Sequence, residues 1–514
     1  MESWNDGILK KNRHKYLSFP LSPHFSVSLL CFVLIIASLP VVSFAQISSD
    51  ARSMVMGGGS GYITGFESNF YNPANLLIPS YKHSTEIEFG SVSMQLNRRP
   101  ANRSFVPLQG YANQFLPNST GSSLNINGNR QKLLEHWYGS DETNYSRYAT
   151  FTATPFGISW QHGPFAYSVG IRSRAINNFD LTKGWFSGGS QSITQKNTLD
   201  RNLTQTIATY NEISVGFAQA VTLVNGWSPN LNRLYVGVAP KFIIPGMFMQ
   251  TDYRSSYHRD NAGNLIQTRS LSTMSAGAIS SVWSDNGSLN NSDLFKSSGW
   301  GLGLDMGVTY VKSLGNDVAL LGGNKRTSLR KSIRISLSIT DIGFVRYTNN
   351  AMSLDQLRGT RTTHTLPDGP SNEFTGSPVQ ILSYLKADGV TPDYLQSNKF
   401  QDIRISLPTA FHFGATYQDN WWALTGDLTY GLNRDTFNFG GWIADAGAEI
   451  RPLHFLPVRA GLQWYPGHHL ILASGLGIDT QHFSIDFGTR FSAPSTNRGF
   501  YLMGAAITTL RLHF

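Results

Sequence analysis

The chain has 514 residues and a formal net charge of +9, and it contains 49 glycines, 12% aromatic residues and only 14% charged residues. Soluble domains usually carry charge on about a quarter of their residues, so this composition argues against a helical soluble enzyme. The positive charges are dispersed and form no basic block, so we expect no nucleic-acid partner.

Residues 1–45 have the pattern of an export signal. Four Lys or Arg residues precede the apolar run SLLCFVLIIASLPVVSFA, in which Ser43 and Ala45 supply the small side chains that a signal peptidase needs. We predict a signal peptide over residues 1–45, with cleavage after Ala45. A signal anchor is the alternative, because the run is long enough to begin to span a bilayer. Cys31 is the only cysteine, so the exported chain is expected to contain no thiol.

The rest of the chain alternates apolar and polar residues. Residues 165–172 read FAYSVGIR and residues 333–340 read IRISLSIT, with a period of two. This period indicates β-strands with one apolar and one polar face. No further apolar run reaches the length of about 20 residues that a membrane helix needs, whereas strands of about ten residues can cross a bilayer at a tilt.

Fourteen segments show this alternation. They lie near residues 84–97, 149–161, 164–177, 206–223, 231–245, 299–313, 328–345, 403–417, 421–432, 441–452, 457–465, 469–479, 482–492 and 500–514. An even number of strands can close into a bacterial outer-membrane barrel with short periplasmic turns and longer outer loops. The long connections expected outside are residues 98–148, 178–205, 246–298 and 346–402.

The predicted fold class is therefore all-β, an antiparallel transmembrane β-barrel of about 14 strands over residues 83–514. Residues 46–82 precede it as an N-terminal hatch or plug. The chain ends LRLHF, and the terminal Phe514 resembles the C-terminal insertion signal of outer-membrane barrels. A soluble lectin or β-sandwich is the alternative. We expect an outer-membrane location, with membrane lipid as a partner.

The hatch segment contains two motifs that resemble those of a known family. It reads ARSMVMGGGSG from Ala51 and FYNPANL from Phe70. Glycines allow tight backbone contact and proline fixes a bend, as a compact plug requires. The order of these two motifs resembles the hatch of FadL-type fatty-acid transporters and their relatives, including the PorV and PorQ barrels of type IX secretion. The resemblance implies a ligand gate at Asn72, Pro73, Ala74 and Asn75.

Three strand segments carry a second resemblance. GWGLGLDMGVTYVK at 299–312, SLSITDIGFVRY at 336–347 and ISLPTAFHFGATY at 405–417 are similar to the strands of a family of outer-membrane proteins known as a domain of unknown function. This resemblance covers most of the predicted barrel and implies the same fold.

Charged residues on the polar strand faces are expected to line the lumen. They form either an ion-pair lattice that fills the barrel or a charge-selective pore. These residues are Arg172, Arg334, Asp427, Glu449, Arg451, Arg459, Asp486, Arg490 and Arg511.

The sequence offers no catalytic constellation. It has no HExxH pair, and GLGLDM at 301–306 lacks the third glycine of a dinucleotide fingerprint. We predict a protein that is not an enzyme, with no cofactor and no bound metal. Three functions remain open. The barrel transports a hydrophobic small molecule, which leaves laterally or past the hatch; or its loops 246–298 and 346–402 bind an envelope or secreted protein; or it is a structural barrel without a ligand.

Overall fold

The computed structural model describes residues 50–78, 84–99, 144–186, 193–194, 197–221, 232–282, 296–314, 331–363, 366, 378–390, 402–419, 421–432, 441–464, 470–480, 482–492 and 501–514. The predicted signal peptide and its cleavage site at Ala45 lie outside these residues.

Strands dominate the described chain. They are β1 (Thr85–Arg99), β2 (Asn144–His162), β3 (Phe165–Thr182), β4 (Leu199–Val221), β5 (Asn232–Arg259), β6 (Leu265–Ala276), β7 (Gly299–Ser313), β8 (Ser332–Tyr347), β9 (Met352–Thr363), β10 (Ile403–Ser406), β11 (Ala410–Gln418), β12 (Trp422–Gly431), β13 (Gly441–Leu453), β14 (Leu456–Trp464), β15 (Ile471–Asp479), β16 (Phe483–Ser492) and β17 (Tyr501–His513). The α-helices are α1 (Ala51–Met56) and α2 (Pro378–Ala387), and short 3-10 helices span Phe66–Phe70, Pro73–Leu77, Lys183–Trp185 and Gly277–Val282.

The strands close into an antiparallel barrel. Ile87 of β1 lies opposite Ile158 of β2 on one side and opposite Leu512 of β17 on the other, so the first and last strands are neighbours. Fourteen strands form the wall, since β10 and β11 together make one of them and β6 and β9 lie outside the ring. The predicted 14-stranded barrel is confirmed.

The outer face of the wall is apolar. Val215, Leu302, Leu337 and Leu476 are all at least 46% exposed, whereas the residues between them along each strand are mostly buried. Such an alternation places apolar side chains against lipid and the opposite face in the interior. Among the helices of the described chain, none is long and apolar enough to span a membrane.

One part of the wall continues beyond the ring. The first half of β5 pairs with β7, and its second half, from Phe248 to Arg259, pairs with β6, which in turn pairs with β9. We call the end of the barrel that carries β6 and β9 distal, and the end that holds Thr85 and Phe514 proximal. The sequence predicts loops over 246–298 and 346–402, and for β6, β9 and the second half of β5 that prediction is wrong.

The wall is interrupted between β10 and β11. The sequence predicts one strand over 403–417, but Leu407, Pro408 and Thr409 leave the ladder. Pro408 has no N–H to donate, which favours an interruption there. On the facing strand β8, Asp341 has a φ of 55°, and Gly343 accepts a hydrogen bond from Leu407 N at 3.0 Å. We call this interruption, residues 407–409, the wall break.

Candidate functional site in the barrel interior

Residues 50–78, which we call the inner segment, lie inside the barrel. Almost all of these residues are buried. Asp50 caps helix α1, since its Oδ1 accepts from Ser53 N at 2.6 Å in a capping box. The carbonyl of Met54 accepts from Arg490 Nε at 2.7 Å. Ser60 donates its N–H to Asp427 at 2.9 Å. Contacts to strands on several sides hold the segment across the lumen.

The predicted gate residues form one tight turn. Asn72 caps the 3-10 helix Pro73–Leu77, since its Oδ1 accepts from Ala74 N at 3.1 Å. Its Nδ2 donates to Thr309 Oγ1 of β7 at 2.9 Å. Asn75 donates from Nδ2 to the carbonyls of Ser60, at 2.7 Å, and Ile63, at 3.0 Å. Both amides are fully buried, so they bind the inner segment to itself and to the wall.

Two glycines of the wall leave room for this turn. A Cβ on Gly237 of β5 would lie 2.3 Å from Ala74 N, and a Cβ on Gly307 of β7 would lie 2.0 Å from Asn72 Oδ1. Real Cβ atoms do not approach other atoms so closely, so only glycine lets the turn reach the strand backbones. Tyr71, which precedes the turn, contacts β8, because Ser338 Oγ donates to its carbonyl at 2.6 Å.

The nine predicted lumen charges all have polar partners, and eight are buried, with Arg451 partly exposed. Arg172, Glu449, Arg451, Arg459, Asp486 and Arg511 lie in ion pairs. Three others bind neutral groups. Arg334 donates to Gln418, Arg490 to the Met54 carbonyl, and Asp427 accepts from Ser60.

An ionic cluster links the proximal wall to the inner segment. Arg511 of β17 lies 3.1 Å from Glu67 of the inner segment and 3.1 Å from Glu88 of β1. Glu67 also pairs with Arg52, at 2.7 Å. Arg511 is 3.6 Å from Asp486, which pairs with Arg459 at 2.6 Å. One guanidinium thus balances carboxylates from two barrel strands and the inner segment.

Tyr62 of the inner segment joins the same cluster. Its hydroxyl donates to Glu449 Oε2 at 2.5 Å, and Arg459 Nε donates to that oxygen at 2.7 Å. Burial, together with the adjacent Glu449 carboxylate, raises the pKa of Tyr62 well above its ordinary value. Tyr62 is therefore a hydrogen-bond donor to Glu449 within this cluster.

A second ionic cluster lies further toward the distal end. Arg172 of β3 pairs with Glu212 of β4 at 2.6 Å, and Lys241 of β5 pairs with Asp341 of β8 and Asp305 of β7, each at 2.6 Å. The guanidinium of Arg172 also lies 4.0 Å from the ring centre of Phe70 in the inner segment. The inner segment is therefore held by both clusters.

Several members of these clusters were not predicted from the sequence. They are Arg52, Glu67, Glu86, Glu88, Arg174, Glu212, Lys241, Asp305 and Asp341. The period-two pattern could have found Glu212, Lys241 and Asp305, because each occupies an inward position of a predicted strand. Asp341 follows a change of register at a positive φ, which the pattern does not reveal.

Two apolar clusters lie beyond the ions, on opposite faces of the sheet. Along β3, Arg172, Arg174 and Ile176 share the inward face, whereas Phe179 and Leu181 lie on the opposite face. The lower apolar cluster contains Ile176, Ala208, Tyr210, Ile243, Phe248, Ala276, Val345, Tyr347, Ala351, Ile403, Ile405 and Leu407. The upper apolar cluster contains Phe179, Leu181, Trp185, Phe186, Leu203, Ile207, Met247, Met249, Tyr253, Leu271, Ile279, Met352, Ile381, Leu382, Tyr384, Leu385 and Val390.

The lower apolar cluster borders the wall break. Leu407, at the break itself, is fully buried in this cluster. On the outer face, close to the same strands, an apolar groove of about 450 Å³ is lined by Val238, Met306, Leu337, Ile339 and Phe411, among others. Apolar surface therefore lies on both sides of the wall near the interruption. In the described part of the chain, no group of three or more His, Cys, Asp or Glu residues could hold a metal ion.

A closed antiparallel barrel with an apolar outer face and a polar network inside it is a transmembrane β-barrel. The chain belongs to the family described as "Family of unknown function (DUF5723)", whose sequence profile matches residues 77–443. A comparison with curated proteins found no match.

Several solved structures are similar to this chain. The Pseudomonas putida toluene transporter TodX is 11% identical, with a TM-score of 0.43 over 91% of this chain and 98% of that chain. The CymD monoaromatic hydrocarbon channel is 12% identical, with a TM-score of 0.41 over 92% and 99%. A Pseudomonas aeruginosa FadL homologue is 10% identical, with a TM-score of 0.38 over 92% and 98%.

Proposed function

We propose that this protein is a non-catalytic outer-membrane barrel that passes hydrophobic small molecules. The observation that supports this function is the apolar lining of the distal interior, formed by the lower apolar cluster. Barrels that conduct water-soluble solutes have a polar, water-filled lumen. A lining of aliphatic and aromatic side chains instead favours solutes that leave water readily.

The proposed route enters at the distal end and leaves through the wall break. A solute settles in the lower apolar cluster and stops above the buried ions, where an apolar molecule gains nothing by going further. The lower cluster reaches Leu407, and the outer apolar groove begins at neighbouring positions on β8 and β11. Exit into the membrane at this place avoids the ionic clusters altogether.

The turn Asn72–Asn75 controls this exit in our proposal. It docks on β7 through Thr309 and Gly307, and the preceding Tyr71 docks on β8 through Ser338. Strand β8 forms one side of the wall break. The inner segment can therefore hold β8 in place or release it without touching the solute.

The test is uptake of a labelled hydrophobic compound by cells that express the barrel and have no other route for it. We expect uptake above that of cells without the barrel, and we expect it to fall when residues 72–75 are replaced by a Gly-Ser linker. The matched control replaces residues 261–264, an exposed turn between β5 and β6. Unchanged uptake in the first variant, with heat-modifiable gel mobility showing a folded barrel, would count against the gate.

Two further proposals concern delivery to the membrane. Residues 1–45 direct export, with cleavage after Ala45, and Phe514 belongs to the signal for barrel insertion. Mass spectrometry of the N-terminus of the purified protein tests the first. Deletion of Phe514 tests the second, and the expected result is a loss of heat-modifiable protein from the outer membrane.

A further inference from the structure

A short helix packs on the sheet that continues beyond the ring at the distal end. Residues 378–390, which we call the lid segment, consist of α2 and the three residues that follow it. Ile381, Leu382 and Leu385 are buried, whereas Lys386 and Ala387 on the opposite face are exposed. One face of the helix thus contacts the protein and the other faces water.

The buried face of the lid segment completes the upper apolar cluster. Ile381, Leu382, Tyr384, Leu385 and Val390 pack with side chains from β3, β4, β5, β6 and β9. The rings of Tyr384 and Trp185 meet edge to face at 5.6 Å. Without the lid segment, the apolar side chains of the other elements would lose this cover.

The end of the lid segment is held by one buried carboxylate. Asp388 is fully buried, and its Oδ1 accepts from Arg201 Nη1 at 3.0 Å and from the hydroxyl of Tyr257 at 2.5 Å. Its Oδ2 accepts from the hydroxyl of Tyr253 at 2.6 Å and from Gln267 Nε2 at 3.1 Å. We call Arg201, Tyr253, Tyr257 and Gln267 the carboxylate cage; they come from β4, β5 and β6.

Two more arginines hold the main chain at the same place. Arg361 Nη2 of β9 donates to the carbonyl of Asp388 at 3.1 Å, and Arg269 Nη1 of β6 donates to the carbonyl of Gly389 at 2.5 Å. Gly389 has a φ of 85°, which allows the chain to turn between these donors. A side chain there would collide with Arg361, since a Cβ would lie 2.2 Å from its Nη2.

The cage is costly to leave empty. A buried guanidinium without a charged partner is destabilised, because nothing offsets the cost of removing it from water. A carboxylate that leaves its donors without gaining water is destabilised for the same reason. Asp388 and Arg201 therefore favour two states, one with the carboxylate in the cage and one with both groups hydrated. The exposed remainder of the lid segment has only its apolar face to hold it.

We propose that residues 378–390 are a lid over the upper apolar cluster, on the outward face of the sheet that continues beyond the ring, and that Asp388 is its latch. When Asp388 leaves the carboxylate cage, the lid detaches and the upper apolar cluster is exposed. The closed state therefore hides an apolar surface at the distal end of the barrel. This inference does not depend on what the barrel carries.

Hydrogen exchange of the full-length protein in detergent tests the latch. The amides of Asp388, Gly389 and Val390 donate to Tyr384, Lys386 and Leu385 in the closed lid. In D388A we expect the peptide that covers residues 378–390 to exchange about tenfold faster, because charged hydrogen bonds are lost and local opening becomes easier. Acetate at high concentration should slow exchange again in D388A by filling the cage, with no effect on the wild type.

The control is D252A, which removes an exposed carboxylate paired with Arg254 on the face of β5 opposite to the lid segment. If D388A yields no heat-modifiable barrel, Y257F serves instead, since it removes one cage donor and keeps the ring; about threefold faster exchange is expected. The proposal would be overturned if exchange within the lid stayed at the wild-type rate in D388A or Y257F. It would also be overturned if exchange rose equally in D252A.

Discussion

Thr309 of β7 donates its hydroxyl to Asn75 Oδ1 of the inner segment at 2.6 Å, and this contact fixes the turn to the wall. Replacement of Asn75 by Ala removes three hydrogen bonds from a fully buried site. We expect the free energy of unfolding to fall by about 2–3 kcal/mol, measured by urea unfolding in lipid vesicles. N264A, in an exposed turn, is the control and should change it by less than about 1 kcal/mol.

The close approach of the turn to Gly307 gives a second prediction. In G307A the new Cβ would meet Asn72 Oδ1, which is held by Ala74 N and cannot move away without losing its cap. We expect a loss of about 1–3 kcal/mol in the free energy of unfolding. G359A is the matched control, since nothing lies within 4 Å of a Cβ at that position. Equal stability of the two variants would show that the turn does not approach β7 as described.

Arg511 balances several buried carboxylates, so its removal should be severe. In R511A, Glu67, Glu86, Glu88 and Asp486 lose a shared partner, and we expect about 3–5 kcal/mol of destabilisation.

The control is R346A, which breaks an exposed pair with Asp402 and should cost at most about 1 kcal/mol. The midpoint of the heat-induced gel shift compares the two variants. Midpoints that differ by no more than the scatter between repeats would contradict the role given to Arg511.

The wall break makes a prediction about the exit route. Val345 of β8 and Ile405 of β10 are directly opposite each other beside the break. In V345C/I405C, a short thiol crosslinker should lower the uptake of a hydrophobic compound. The control is A448C/A460C, which places the same crosslink across the intact pair β13 and β14, and its uptake should stay unchanged. Full uptake through the crosslinked V345C/I405C barrel would exclude exit at the break.

The barrel strands could be predicted because their signal is local. Most wall strands alternate apolar residues toward lipid with polar or small residues toward the interior, and this can be read from one segment such as FAYSVGIR. Strands β6 and β9 lie beyond the ring and have no lipid-facing side. Their sequences, LIQTRSLSTMSA and MSLDQLRGTRTT, are mostly polar on both faces, so they were predicted as loops.

The interior could be predicted only in part. Alternation identified inward charges such as Arg172 and Arg511, but it carries no information on partners from distant strands. Glu67 reaches Arg511 only because the inner segment folds back into the barrel. The latch escaped notice because Asp388 is an ordinary acidic residue in sequence, and its burial depends on four side chains from three strands.

Native mass spectrometry of the detergent-purified barrel, followed by organic extraction of what it carries, tests the central claim most directly. The apolar interior predicts a hydrophobic small molecule bound to the wild type, and its loss when Asn72 and Pro73 are replaced. A barrel that carries no such molecule, and that retains none from a mixture of added apolar compounds, would contradict the proposed function.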